Sequence, residues 1–216
     1  MSLKVIIADD HAMVREGIKA LLEKRGREME VAGEAADGRE LLELARRTPA
    51  DVYVIDVGMP HLNGLEAASR LLRRNSGARI VCLGMECDRE AVRKAVIAGV
   101  RAYVLKENTA AELMKAIYAV ARGGSYFSSQ VSALVPVGPA AGGAPELPDQ
   151  AGRLTSKERE IIQLIAEGLA DKEISRRLSI SRNTVHAHRN NISRKLDIHK
   201  QTDLVRFAIR EKIAAV

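Results

Sequence analysis

The chain has 216 residues, enough for one large domain or two small ones, and its 46% hydrophobic content with 3% aromatics calls for an aliphatic core. The formal net charge of +6 is carried unevenly: residues 151–216 hold 14 Lys and Arg against 8 Asp and Glu, while the residues before them hold 20 of each sign. No apolar run reaches the roughly 18 to 20 residues of a membrane span, and MSLKVIIADD has an acidic pair where a signal peptide needs an apolar stretch, so a cytoplasmic protein with no membrane partner is expected.

Up to residue 127 the text alternates apolar, β-like runs with amphipathic ones. Val5–Ala8, Glu30–Glu34, Val52–Ile55, Arg79–Leu83 and Ala102–Leu105 read as strands. Between them Met13–Lys24, Arg39–Arg46, Leu65–Arg73, Glu90–Ala98 and Ala111–Arg122 carry helical spacing, as in Val14, Ile18, Leu21 and Leu22. Five strand-helix units predict a doubly wound parallel sheet with helices on both faces. Cys82 lies in an apolar run and reads as core; Cys87 reads as an ordinary thiol, because the pair matches no zinc spacing.

From Ser128 the composition shifts to SSQVSALVPVGPAAGGAPELPDQAG, which has no sustained period and reads as a linker. The expected division is 1–127, a flexible linker over 128–150, and 151–216. Behind the linker every element reads as helix. LTSKEREIIQLIAEG opens with Thr155 and Glu158 as a capping box and stops at Gly168. DKEISRRL is a short helix, SIS a tight turn, SRNTVHAHRNNISRKL a longer helix capped by Ser181, and TDLVRFAIREKIAA a fourth. Short helix, tight turn and polar-fronted longer helix outline a helix-turn-helix, and the excess positive charge of this third suggests a nucleic-acid partner.

The stretch YVIDVGMPHLNG runs the third strand into Asp56. A strand covered on both faces is apolar throughout, so this carboxylate marks the rim where the run reaches solvent. Ligands of open α/β sheets bind at that rim, where a lone aspartate is either an active-site group or an ordinary loop residue. Its neighbours narrow the choice. VIIADDH ends the first strand in Asp9 and Asp10, and YVLKE ends the fifth in Lys106. In a doubly wound sheet of order 2-1-3-4-5 these three strand ends meet at the switch point. Three carboxylates so close are costly unless a cation neutralises them, and an all-oxygen site with open positions suits Mg²⁺. The lysine supplies a point charge for an anion beside the metal. With that support an aspartate can attack a phosphoryl group and form an acyl phosphate, which makes Asp56 the candidate nucleophile.

The segments VIIADDH, VREGIKALL, YVIDVGMPHLNGLEA and AGVRAYVLKE resemble the receiver domain of two-component response regulators. The stretch LTSKEREIIQLIAEGLADKEISRRLSISRNTVHAHRNNISRKL is similar to the DNA-binding domain of the NarL/FixJ (LuxR-type) class. The resemblance implies a CheY-like (βα)5 receiver followed by a four-helix helix-turn-helix domain. It implies that a sensor histidine kinase phosphorylates Asp56, and that Mg²⁺ is held by Asp10 directly, by Asp9 through water, by Asp56 and by the backbone carbonyl of Gly58. Lys106 would pair with the phosphoryl oxygen. Homodimers on paired promoter sites in double-stranded DNA are implied for the active form, with the last helix similar to a dimerisation element.

Two departures from the family pattern matter. Where the family usually has Ser or Thr after the fourth strand, this chain has Gly84. The family hydroxyl is understood to hydrogen-bond the phosphoryl group while an aromatic on the fifth strand, here Tyr103, changes rotamer. Glycine has no hydroxyl, so the switch is expected to be weak or partly independent of phosphate. Ala170 and Asp171 stand where the family more often has Ser and Asn, with Asp171 expected to cap the helix.

The third helix of the rear unit can be sorted by geometry. With Val185 at zero and about 100° per residue, Ile192 and Leu196 fall within about 20° and His188 at about −60°. That face is core. Asn183, Ala187, Asn190 and Arg194 fall between about 140° and 200°, and His186 at about 100°, so they point outward. His186 is the candidate base reader, while His188 is packed or contacts phosphate. Asn183, Thr184, Ala187 and Asn190 complete the groove-facing set, and Arg182, Arg189, Arg194 and Lys172 are phosphate candidates. The resemblance points to His186, Ala187 and Asn190 as groove readers. Val205, Ala208 and Ile209 of the last helix have helical spacing that suits either an interface or the domain's own core.

Two other functions fit less well. An aspartyl phosphatase of this fold would carry a general-acid aspartate two residues after the nucleophile, where Gly58 stands, so an enzyme is not expected. The alternative is a constitutive DNA-binding regulator whose receiver ignores phosphorylation, for which Gly84 argues.

Overall fold

The computed structural model describes residues 2–107, 110–135 and 154–214. The chain divides into two compact units, Met1–Pro136 and Val137–Val216. In the first, strands β1 (Leu3–Ala8), β2 (Met29–Ala35), β3 (Val52–Asp56), β4 (Ile80–Gly84), β5 (Ala102–Leu105) and β6 (Tyr126–Phe127) form one sheet of order β2-β1-β3-β4-β5-β6. Every pairing is parallel. Between them run helices α1 (Ala12–Glu23), α2 (Gly38–Arg47), α3 (Gly64–Arg74), α4 (Arg89–Ala98) and α5 (Ala110–Ala121).

Alternation along each strand divides the core in two. Ile6, Ala8, Ile55, Cys82 and Tyr103 face one layer with Leu41, Ala67 and Val92, while Val5, Ile7, Val54, Val81 and Val104 face the other with Leu22, Ile117 and Val120. Helix entries are fixed locally. Asp37, Asn63 and Asp88 accept hydrogen bonds from the first-turn N–H groups of α2, α3 and α4. Gly99 ends α4 at φ 94°, a left-handed cap suited to glycine.

The five strand-helix units stand where their periodicity places them, with strand ends shifted by a residue or two. The sixth strand was not expected. Tyr126 and Phe127 pair with Ala102 and Tyr103 at the sheet edge, and helix α6 (Ser129–Ser132) buries Val131 completely. Residues 128–135, read as the start of a linker, therefore belong to the first unit; the rest of that stretch, 136–150, lies outside the described residues.

The second unit holds α7 (Ser156–Ala166), α8 (Asp171–Leu178), α9 (Arg182–Leu196) and α10 (Gln201–Arg210). Its core gathers Ile161, Ile165, Ile174, Val185, Ile192, Leu196, Leu204 and Phe207. The Thr155–Glu158 capping box forms, and Ser181 caps α9 through the Thr184 N–H at 3.0 Å. Buried Glu158 also takes Lys195 at 2.7 Å, tying the start of α7 to α9. Burial alone would raise the Glu158 pKa, but the hydrogen bonds from Lys195 and Thr155 hold it below the usual carboxylate value. Among the described residues no helix is long and apolar enough to cross a membrane.

Candidate functional site: an acidic pocket and a helix-turn-helix surface

The carboxyl ends of β1, β3 and β5 bring Asp9, Asp10, Asp56 and Lys106 together. Ligand atoms of Asp9, Asp10, His11 and Asp56 all lie within 4.8 Å of one another. Lys106 Nζ lies 2.8 Å from Asp9 Oδ2 and 3.0 Å from Asp56 Oδ2. Asp56 is the last residue of β3 and is 2% exposed. The rim position is as the sequence suggested, but the side chain is enclosed rather than solvated, with Lys106 as its counter-charge.

Burial drives the Asp56 pKa up, Lys106 opposes that rise, and the charge of Asp9 adds to it. For Lys106 burial works against the charge, but hydrogen bonds and attraction to Asp9 and Asp56 outweigh it and raise the pKa, so the ammonium stays charged. The Gly58 N–H donates to Asp56 Oδ1 at 3.2 Å, and the His11 N–H to Asp9 Oδ1 at 2.9 Å. His11 Nδ1 also lies 2.8 Å from Asp10 Oδ1. The sequence reading missed His11 as a member of this cluster, although it directly follows the acidic pair.

Glycine is required beside Asp56. A Cβ on Gly64 would collide with the Asp56 carbonyl oxygen, so α3 can begin this close to β3 only without a side chain there. Gly84 ends β4, and its carbonyl accepts the Lys106 N–H at 2.7 Å. Tyr103, opposite Cys82 in the register, is 1% exposed. Burial pushes the Cys82 thiol up to about 12, in keeping with an inert core residue, while Cys87 is exposed with its Sγ 3.3 Å from the Gln130 carbonyl oxygen.

In the second unit the helical sorting of α9 agrees with burial. Val185, Ile192 and Leu196 are in the core, His188 is half-buried, and Arg182, Asn183, Thr184, His186, Ala187, Asn190 and Arg194 are exposed, as is Lys172 of α8. Asn190 Nδ2 and His186 Nδ1 lie 3.3 Å apart on that outer face. Arg189 is engaged within the domain: its guanidinium meets Asp171 Oδ1 at 2.9 Å and Gln201 Oε1 at 3.3 Å. This changes the reading of Asp171, which does not cap α8. The capping position falls one residue earlier, on Ala170, whose methyl group cannot accept a hydrogen bond; half of the box remains, the Ala170 N–H donating to Glu173 at 2.8 Å. In α10, Ala208 joins the core, Val205 is half-buried and Ile209 is exposed.

Comparison with known proteins agrees with both halves. The response regulator receiver domain family matches residues 5–118, and the luxR family of bacterial regulatory proteins matches residues 152–208. The chain is 37% identical over 211 residues to the transcriptional regulatory protein LiaR of Bacillus subtilis, covering 98% of this chain and 99% of that protein. It is 32% identical over 209 residues to the nitrate/nitrite response regulator NarL of Escherichia coli K12, covering 97% and 96%. RcsB of Salmonella enterica serovar Typhimurium, solved bound to promoter rprA with the phosphomimetic BeF3-, aligns with a TM-score of 0.56 at 27% identity over 95% of this chain and 98% of that one. The chain thus belongs to the NarL/FixJ (LuxR-type) response regulators, transcriptional regulators in which a receiver domain precedes a helix-turn-helix DNA-binding domain.

Proposed function

We propose that Asp56 accepts a phosphoryl group from a sensor histidine kinase, and that this controls the pairing of two chains on double-stranded promoter DNA. The observation that carries the reading is the ammonium of Lys106, held 2.8 Å from Asp9 and 3.0 Å from Asp56 at the rim where three carboxylates meet. The donor set is rich in hard carboxylate oxygens, two of the carboxylates are buried, and such a set fits Mg²⁺. Asp9, Asp10, Asp56 and the Gly58 carbonyl would hold it. Bound there, the cation offsets the charge on the phosphoryl oxygens.

In the transfer an Asp56 carboxylate oxygen forms a bond to phosphorus as the bond from phosphorus to the donor breaks. The leaving group, an imidazole nitrogen of the kinase or acetate from acetyl phosphate, keeps the electron pair. Lys106 acts as a fixed point charge for the phosphoryl oxygens and keeps its proton. The site lacks a carboxylate at Gly58 to act as general acid, which supports a regulator rather than an enzyme that turns over external phosphate esters.

The exposed face of α9 supports the second half of the reading. Its short polar residues suit a major groove, where Asn190 can pair with a base edge and Ala187 can touch a thymine methyl, while Lys172, Arg182 and Arg194 flank them for phosphates. Ile209 and Val205 leave an apolar edge on α10 for a second copy.

The test is incubation of the full chain with acetyl phosphate and Mg²⁺, followed by intact-mass measurement and light scattering on a sizing column. The expected result is a phosphoryl adduct that is lost in Asp56→Asn or with EDTA, together with a shift from monomer to dimer. No adduct in the wild-type chain sinks the phosphoacceptor reading. An adduct without a shift favours a receiver uncoupled from DNA binding, the reading to which Gly84 points.

A further inference from the structure

The space beside Gly84 is filled by another residue. A Cβ built on Gly84 would run into the Tyr103 hydroxyl oxygen and would lie 2.8 and 2.9 Å from Cε1 and Cζ of the same ring. The side chain as a whole is buried, so the ring holds this place as a packed residue and not as a passing surface rotamer. Tyr103 sits on β5 opposite Cys82, and Gly84 lies two residues further towards the carboxyl rim, so the ring leans from the sheet interior to that rim. At the rim the Gly84 carbonyl accepts the Lys106 N–H at 2.7 Å, and Lys106 Nζ reaches Asp56 at 3.0 Å. Burial first, and after it the neighbouring Cys82, Asp88 and Asp56, push the Tyr103 pKa up, so the hydroxyl keeps its proton. A hydroxyl held protonated in this way is a donor.

We infer that the Tyr103 hydroxyl, seated in the space that Gly84 leaves open, donates a hydrogen bond to the phosphoryl group on Asp56. This rests on the phosphoacceptor reading of Asp56 and assigns the missing β4 hydroxyl a substitute from β5. Tyr103 keeps its proton: the bond from Asp56 to phosphorus forms, the bond from phosphorus to the donor breaks, and acetate from acetyl phosphate leaves with the electron pair. Gly84 and Tyr103 act as a pair, because any side chain at 84 takes the volume the hydroxyl occupies.

The rate at which acetyl phosphate with Mg²⁺ labels the full chain, followed by intact mass, tests this. Tyr103→Phe keeps the ring and is expected to slow labelling about ten-fold or more, the size of a lost hydrogen bond to a charged group. Gly84→Ala keeps the hydroxyl but displaces it, and is expected to slow labelling similarly. In Gly84→Ser/Tyr103→Phe the closest clash is gone, although the ring still has to shift to clear the new Cβ from Cε1 and Cζ; the hydroxyl now on β4 is expected to restore most of the rate. Labelling of Tyr103→Phe or Gly84→Ala at the wild-type rate overturns the inference, as does a slow Tyr103→Phe that adding Gly84→Ser fails to rescue, since that behaviour belongs to ring packing. Absence of the adduct from the wild-type chain, or its persistence in Asp56→Asn, removes the phosphoacceptor reading and this inference with it.

Discussion

Asp56 is kept in the core at a cost in stability. Its side chain is 2% exposed, its pKa is raised first by burial and further by Asp9, and Lys106 offsets only part of that. A carboxyl whose pKa is higher folded than unfolded favours the fold while it is protonated and loses that advantage as pH rises through the window between the two values. Above the folded pKa the whole penalty for ionising in the core is present. Asp56→Asn removes it, and Lys106 still keeps Asp9 at 2.8 Å. The variant is therefore expected to melt a few degrees above the wild-type chain at neutral pH, with the gap closing as pH falls below the ordinary carboxylate value. Thermal melts from pH 3 to 8 check this; a gap that widens towards acid contradicts it. The sequence could place Asp56 at the rim, because a charge ending an apolar run has one sensible location. It could not tell that the side chain is enclosed, since enclosure comes from the loops after β1, β3 and β5 meeting in space. Gly84 and Tyr103 show the same limit. Each could be read alone, but their sharing of one volume follows from the β4–β5 register.

Elements with a strong period were legible, and elements without one were not. Strands such as Val52–Asp56, buried at every position, and helices such as α3, with Ala67, Ala68 and Leu71 inward, announce themselves through continuous or 3.6-residue apolar patterns. β6 has two residues and α6 has four, too short for any period, and α6 lies where Ser, Gly and Pro suggest a linker. What holds them is long-range: β5 offers an unpaired edge, Val131 fills the core, and the Ser128 N–H donates to the Tyr103 carbonyl at 3.2 Å. Caps fall between these cases. Ser181 was readable as the cap of α9, but at α8 a one-residue shift moved the capping position from Asp171 to Ala170, leaving the carboxylate to Arg189. Ala170→Ser supplies the missing acceptor for a first-turn N–H and is expected to stabilise the second unit by about 1 kcal/mol. Urea unfolding should show a higher midpoint at unchanged slope. An unchanged midpoint would mean that the Glu173 half of the box already satisfies the helix start.

At the scale of the whole chain the division of charge separates two jobs. Residues 1–150 balance 20 basic against 20 acidic side chains, whereas 151–216 carry the full excess of +6. A neutral receiver adds no general attraction to DNA, so the salt dependence of binding is a count of the phosphates neutralised by the second unit alone. Each DNA-binding unit presents Lys172, Arg182 and Arg194 as exposed cations around α9. Each phosphate contact lowers the slope of log Kobs against log salt by about 0.9, giving roughly −3 for one unit and roughly −5 for a pair. The effect of a single substitution then counts the units on the site. Arg182→Ala should reduce the slope by about 0.9 where one unit is bound and by about 1.8 where two are, with little change in sequence preference. Fluorescence anisotropy of a labelled palindromic duplex over a range of salt, with the full chain in Mg²⁺ and with or without BeF3-, measures both. If phosphorylation acts by pairing chains, the loss caused by Arg182→Ala doubles when BeF3- is added. A loss of about 0.9 in both conditions would show that the phosphorylated form still binds as a single unit and would leave the pairing proposal without support.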